Sequence, residues 1–180
     1  MSTVHDHLRY PIGPYEPPTV FTDEILSRWI AILDDFPARL TQETAHLTDE
    51  QLDTRYRPKG WTIRQVVHHC ADSHFNSFVR FKLTLTEEKP VIKPYFEDRW
   101  ADLADGESSP IEPSLKIIEG LHQRWVILLK SLGEDDWRKT FVHPEHNREI
   151  PLNENLSLYA WHCNHHLAHI TTLKESRGWE

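Results

Sequence analysis

Apolar residues recur along this chain at the three- and four-residue spacing of helices, in four long stretches. Ile25, Leu26, Trp29, Ile30, Leu33 and Phe36 make the first apolar face, which Thr22 or Asp23 can cap. Pro37 should kink or interrupt that helix before Leu40 and Leu47, because proline offers no N–H and crowds the preceding turn. Ile63, Val66, Val67, Cys70, His74, Phe78 and Phe81 form the second face, on a helix that runs to about Glu87. Leu115, Ile118, Leu121, Trp125, Leu128 and Leu129 form the third, with Ser114 as cap and Gly133 as stop. Leu156, Tyr159, Ala160, Cys163, Leu167 and Ile170 form the fourth, on a helix predicted over 153–177 with Asn153 as cap and Gly178 as terminator.

The intervening segments read differently. Residues 8–20 hold four prolines interleaved with tyrosines, a pattern for an extended arm across a surface rather than a helix. Thr48 with Gln51, and Thr62 with Gln65, have capping-box spacing; the first opens short turns that Arg57-Pro58-Lys59-Gly60 ends. The stretch 89–113, with its prolines and Asp105-Gly106, is a long connection in which 96–103 can form a helical turn or two. A connection of that length is a candidate wall or lid for a site. Lys139 to His143 and Arg148 to Leu152 flank His146-Asn147 as a small β-hairpin. The expectation is an all-α four-helix bundle with long crossover loops and an appended hairpin. It forms one domain over 1–180, with the arm at about 1–21.

Charge narrows the partners. The chain carries a net charge of −8, which argues against nucleic acid or an anionic membrane, since both call for basic patches. There is no run of some 18 apolar residues and no apolar stretch around His5, Asp6 and His7, so a cytosolic protein acting on a small molecule or a protein is expected. Cys70 and Cys163 both fall on apolar helix faces, as buried thiols rather than a disulfide.

Thirteen histidines stand out, and their clustering carries the information. His162, His165, His166 and His169 fall within eight residues. His162 and His166 lie one turn apart beside the apolar stripe, the spacing by which a helix offers two nitrogens to a metal. His165 falls nearly opposite the stripe and reads as exposed or as a subunit contact, and His169 pairs with it as a rival set or supports a ligand from behind. His69 is offset from its own stripe as His162 is from its own, whereas His68 points to the other flank. Two imidazoles from the fourth helix and one from the second would make a three-nitrogen site with an open position, the arrangement of catalytic zinc. Asp72 could orient an imidazole or move a proton, or pair with Arg80 or Lys82 at the surface. Trp61 and Trp161 read as core or interface residues. His46, His122, His143 and His146 read as scattered surface residues.

Taken together, the segments Gly60-Trp61-Thr62-Ile63-Arg64-Gln65-Val66-Val67-His68-His69-Cys70-Ala71-Asp72-Ser73-His74, Arg80-Phe81-Lys82-Leu83, Lys93-Pro94-Tyr95 and Tyr159 to Ile170 resemble the YfiT group of metal-dependent hydrolases in the DinB-like superfamily. The likeness includes Tyr10-Pro11-Ile12-Gly13 and spans nearly the whole chain. It implies a four-helix bundle, one divalent metal per subunit (zinc first, nickel second) and a homodimer in the bacterial cytoplasm. Carried over by position, the metal ligands are His69, His162 and His166.

The same resemblance implies hydrolysis of a small substrate by metal-activated water. Thiol transferases of the superfamily suggest an alternative, in which the metal presents a low-molecular-weight thiol of the bacillithiol type as thiolate. A non-catalytic metal module is a third reading, and it requires a fourth protein ligand such as His169 or Asp72. A histidine cluster that responds to pH without metal is a fourth.

Overall fold

The computed structural model describes residues 7–179 apart from 146; His5, Asp6 and His146 lie outside the described residues. Helix α1 (Asp23–Thr44) begins at Thr22, whose side chain accepts from the Ile25 N–H, and buries Leu26, Ile30, Leu33, Phe36 and Leu40. It continues through Pro37 as one helix, where a kink or an interruption was expected. The missing N–H of Pro37 leaves the carbonyl of Leu33, four residues earlier, without its helical donor. His122 of another helix bonds that carbonyl at 2.5 Å. The orphan is satisfied from outside, so the helix has no need to break.

Both capping boxes form. Thr48 and Gln51 open α2 (Asp49–Leu52), and Thr62 and Gln65 open α3 (Ile63–Thr86). The long connection contains two short helices, α4 (Glu97–Ala101) and α5 (Ala104–Glu107). Helix α6 (Glu112–Lys130) starts two residues before Ser114, with Pro113 in its first turn. Ser114 is therefore not its cap; its hydroxyl meets Nδ1 of His68 at 2.8 Å. The carbonyl of Ser109 accepts from Nε2–H of His68 at 3.2 Å and from Arg64 at 3.0 Å. Arg64, itself buried, also pairs with Asp53 at 2.6 Å and Asp49 at 2.8 Å. These bonds clamp the connection to the start of α3, and Gln65 adds a bond to the Ala101 carbonyl at 2.9 Å.

After α7 (Glu134–Arg138), strands β1 (Thr140–His143) and β2 (Arg148–Pro151) pair antiparallel, Phe141 opposite Ile150, as the sequence suggested. Helix α8 (Leu152–Arg177) follows at once, with Pro151 at its cap position in place of Asn153. Gly178 ends it at φ 64°, in the left-handed region that glycine enters without a Cβ clash.

Helices α1, α3, α6 and α8 form the bundle. Both α1 and α3 pack against α6 and α8, which sets α1 diagonally across from α3. The core between them includes Leu33, Phe36, Phe81, Ile118, Trp125, Leu156 and Ile170, together with the two free thiols Cys70 and Cys163. The N-terminal arm lies along α8: Tyr15 bonds Ser157 at 2.7 Å and Trp161 donates to the Gly13 carbonyl at 3.2 Å. No helix among the described residues is long and apolar enough to cross a membrane.

Truncating Phe81, fully buried against Trp125, should lower unfolding free energy by about 3–5 kcal/mol, whereas Val91→Ala at an exposed site should stay within about 0.5 kcal/mol. Urea titration followed by circular dichroism measures both. A loss below about 1 kcal/mol for Phe81→Ala would contradict this packing.

Candidate metal centre

The facing sides of α3 and α8 carry an unusual amount of imidazole for a protein interior. His69 sits two turns into α3 and His162 near the middle of α8, with their Nε2 atoms 3.2 Å apart. His166, one turn along α8, completes a group in which one ring nitrogen from each of the three lies within 4.8 Å of the others. A second group, His165, His166 and His169, meets the same limit and shares His166.

Aromatic rings wall the cluster. Trp61 leans on His69 with ring centres 4.5 Å apart, Trp161 stacks on His165 at 4.2 Å, and Tyr56 stacks on His169 at 3.8 Å. His169 donates from Nε2 to the Arg9 carbonyl of the arm at 3.1 Å. Behind His162, its Nδ1 meets Nε2 of His74 at 3.0 Å, and Nδ1 of His74 meets Nε2 of His122 at 2.7 Å. Tyr159 donates to the Ser73 carbonyl at 3.1 Å, and the Ser73 hydroxyl lies 3.4 Å from Nε2 of His162.

Burial sets the protonation of this cluster. Removal from water penalises the charged ring, so His69 is pushed down to about 3, and His162, His166 and His74 are also held well below the ordinary histidine value. The same cause takes His165 to about 3 and His169 and His122 to about 4. At neutral pH every ring is uncharged, with one nitrogen bare. The Nδ1 atoms of His165, His166 and His169 are buried without a hydrogen-bond partner.

The cluster opens into a cavity of about 740 Å³, within the range of small-molecule sites. Pro94 to Arg99 of the long connection form one wall, Tyr56 to Trp61 another, and Arg9 and Tyr10 of the arm close an edge. Asp72 is absent from the cavity wall among the described residues, and no ion pair to Arg80 or Lys82 forms there. Its carboxyl is raised to about 6, first by burial and then by Asp105. Four sequence expectations need correction. His165 and His169 are buried rather than exposed or distant, because the arm and Trp161 cover the side of α8 that its apolar stripe alone would leave in water. His122 is only 1% exposed, facing α1 and α3, and not a surface residue. Trp61 and Trp161 line the cavity, Trp61 while also packing against the core. His143 also lines it, half-buried at the hairpin, while His46 is exposed as expected. His74 and His122 escaped notice as members of the site. The available signal was that each interrupts an apolar face with a group needing two partners.

The DinB superfamily model matches residues 32–170. The chain belongs to that superfamily. Within it the YfiT group is the near kin. The solved structure of YfiT from Bacillus subtilis, described as a probable metal-dependent hydrolase with an unusual four-helix bundle topology, superposes with a TM-score of 0.94 at 47% identity, covering 97% of this chain and 99% of that one. A Bacillus cereus relative is 51% identical over 172 residues, spanning 96% of this chain and 98% of its own. One from Oceanobacillus iheyensis is 49% identical over 171 residues, spanning 95% and 98%. Both bear metal-dependent hydrolase as a provisional name. The mycothiol-dependent maleylpyruvate isomerase shares the DinB fold at a TM-score of 0.64 and 16% identity, over 81% of this chain and 60% of its own.

The depressed histidines of this DinB chain predict acid lability with a definite sign. Unfolded imidazoles take up protons near 6.5, while His69, His165, His169 and His122 in the folded protein do so only near 3 to 4. Stability is therefore complete above about pH 7 and falls progressively as the pH drops below about 6.5. Asp72, raised to about 6, acts in the opposite sense, but as one group against several. Metal-free protein should unfold between about pH 6 and 4, followed by circular dichroism. An intact fold at pH 3.5 would contradict the neutral, buried assignment.

Proposed function

We propose that this protein is a metal-dependent hydrolase in which His69, His162 and His166 hold one divalent cation, zinc first and nickel second, at the floor of the cavity. The observation that carries the reading is the convergence of three neutral imidazoles from two helices, His69 and His166 buried and His162 half-buried, beside an open cavity. Two nitrogens on one tetrahedral zinc at about 2.0–2.1 Å stand roughly 3.4 Å apart, close to the 3.2 Å between Nε2 of His69 and Nε2 of His162. The buried Nδ1 of His166, which has no hydrogen-bond partner, adds to the fit, since an orphan of that kind costs about 1–3 kcal/mol.

When bound, the metal would acidify a coordinated water or thiol at neutral pH. The protein's own groups do the rest. Trp61, Trp161 and Tyr56 keep the imidazoles dry and oriented. The Ser73 hydroxyl stands beside Nε2 of His162, and Tyr159 holds Ser73 in place through its carbonyl and hydroxyl. The non-catalytic reading needs a fourth protein ligand. Among the described residues, no carboxylate, thiol or further histidine joins the His69, His162 and His166 group. Asp72 lies off the cavity wall, and His169 groups with His165 and His166 rather than with His69 and His162.

Thiol transfer is the second reading, favoured by the charge of the cavity. In a chain of net charge −8, the cavity is lined by Arg9, Arg57, Lys59, Arg80 and Arg99, against Glu97, Asp98 and Glu145. A wall with more cations than anions suits an anionic cosubstrate, such as a low-molecular-weight thiol bearing carboxylates. We further propose a homodimer in the cytoplasm acting on small molecules, with neither nucleic acid nor membrane as partner. The acidic net charge supports the last part.

Untagged protein purified without chelator should contain about one zinc or nickel per chain by elemental analysis, and His166→Ala or His69→Ala should lose most of it. A folded wild type that stays metal-free after zinc and nickel are restored would remove the basis of this function. Activated esters and amides should then be turned over in water alone by the metal-loaded enzyme. Turnover that appears only with added thiol would transfer the assignment to the second reading.

A further inference from the structure

His162, His74, His122 and the Leu33 carbonyl form one continuous line of hydrogen bonds with one member from each helix of the bundle, α8, α3, α6 and α1 in turn. The direction of every bond in that line follows from its far end. A carbonyl oxygen only accepts, so Nδ1 of His122 carries its proton and donates to Leu33. In a neutral ring the other nitrogen is then bare, so Nε2 of His122 accepts and Nδ1 of His74 must donate. The same step leaves Nε2 of His74 bare and puts the proton of His162 on Nδ1. What emerges at the cavity is the lone pair on Nε2 of His162, facing Nε2 of His69.

The line stays neutral because His74 and His122 are buried, packed by Phe36 and Trp125, and no carboxylate stands in it. The terminal acceptor is free for His122 because Pro37 has no N–H to give the Leu33 carbonyl. That carbonyl cannot take up a proton, and Leu33 is fully buried. The line therefore ends without an outlet, which makes it a tautomer lock and not a proton wire.

We propose that His74 and His122 are positioning residues that hold His162 as its Nδ1–H tautomer, so that Nε2 is presented as a ligand nitrogen before any metal arrives. The tautomer itself follows from the hydrogen bonds; its use for metal rests on the function proposed above. Long-range proton–nitrogen correlation spectra of ¹⁵N-histidine-labelled, metal-free protein test it directly, with His162 assigned through His162→Gln. The expected result is a protonated Nδ1 and a bare Nε2 at His162, His74 and His122; a proton on Nε2 of His162 overturns the proposal. This readout needs neither metal nor a core variant, so it separates failure of the lock from failure of the metal reading. Zinc affinity, measured against a competing chelator, gives the consequence. His74→Phe should bind about 10- to 100-fold more weakly, and His74→Gln, whose side-chain oxygen can still accept from His162, should recover most of that loss. Wild-type affinity in a folded His74→Phe overturns the positioning role.

Discussion

A neutral imidazole in a dry interior must place one donor and one acceptor, and seven such rings are buried among the described residues, six of which line or back the candidate site. That requirement shapes the bundle. Hydrophobic contact alone would let the helices rotate by a residue or slide with modest loss, because apolar packing has little directionality. The bonds from His162 through His74 and His122 to Leu33 do not tolerate such a shift, since each requires donor and acceptor within about 3 Å. They therefore set the register of α1, α3, α6 and α8 at the level where the cavity opens.

The same constraint explains features that would otherwise look like separate oddities. A proline in the middle of α1 frees the Leu33 carbonyl to accept from His122. A serine in the first turn of α6 serves His68 instead of capping its own helix. The proline-rich arm, which packs on α8 through Tyr15 and Trp161, also gives His169 its carbonyl partner. In each case an irregular piece of backbone or a short polar side chain meets a need created by a buried ring.

A site built in this way is preorganised. The rings stand uncharged and already aimed, so a cation held as proposed would cost little free energy in reorientation. The long connection contributes by position: Arg64, Gln65 and His68 fasten it to α3, and its other end supplies the Pro94 to Arg99 wall. A cavity with a cationic rim over a neutral histidine floor can attract an anionic or polarised small molecule and deliver it to a Lewis acid.

Much of this was legible in the chain itself wherever the determining interactions are local. Capping boxes at Thr48 and Thr62, the apolar spacing of the four long helices, Gly178 at the last turn and the hairpin around residues 140–151 depend on residues a few positions apart, and they fold as their pattern indicates. The His162 and His166 pair was legible for the same reason, whereas His69, on a distant helix, came from the offset from its apolar stripe and from the resemblance to a known group of proteins. Tertiary structure alone decided that Pro37 would not break α1, that His122 faces inward, and that the arm covers His165 and His169. Periodicity shows which residues share a face but not what that face will meet. The partner of a buried polar group lies on another segment, and its identity depends on how the helices are ordered and rotated around one another.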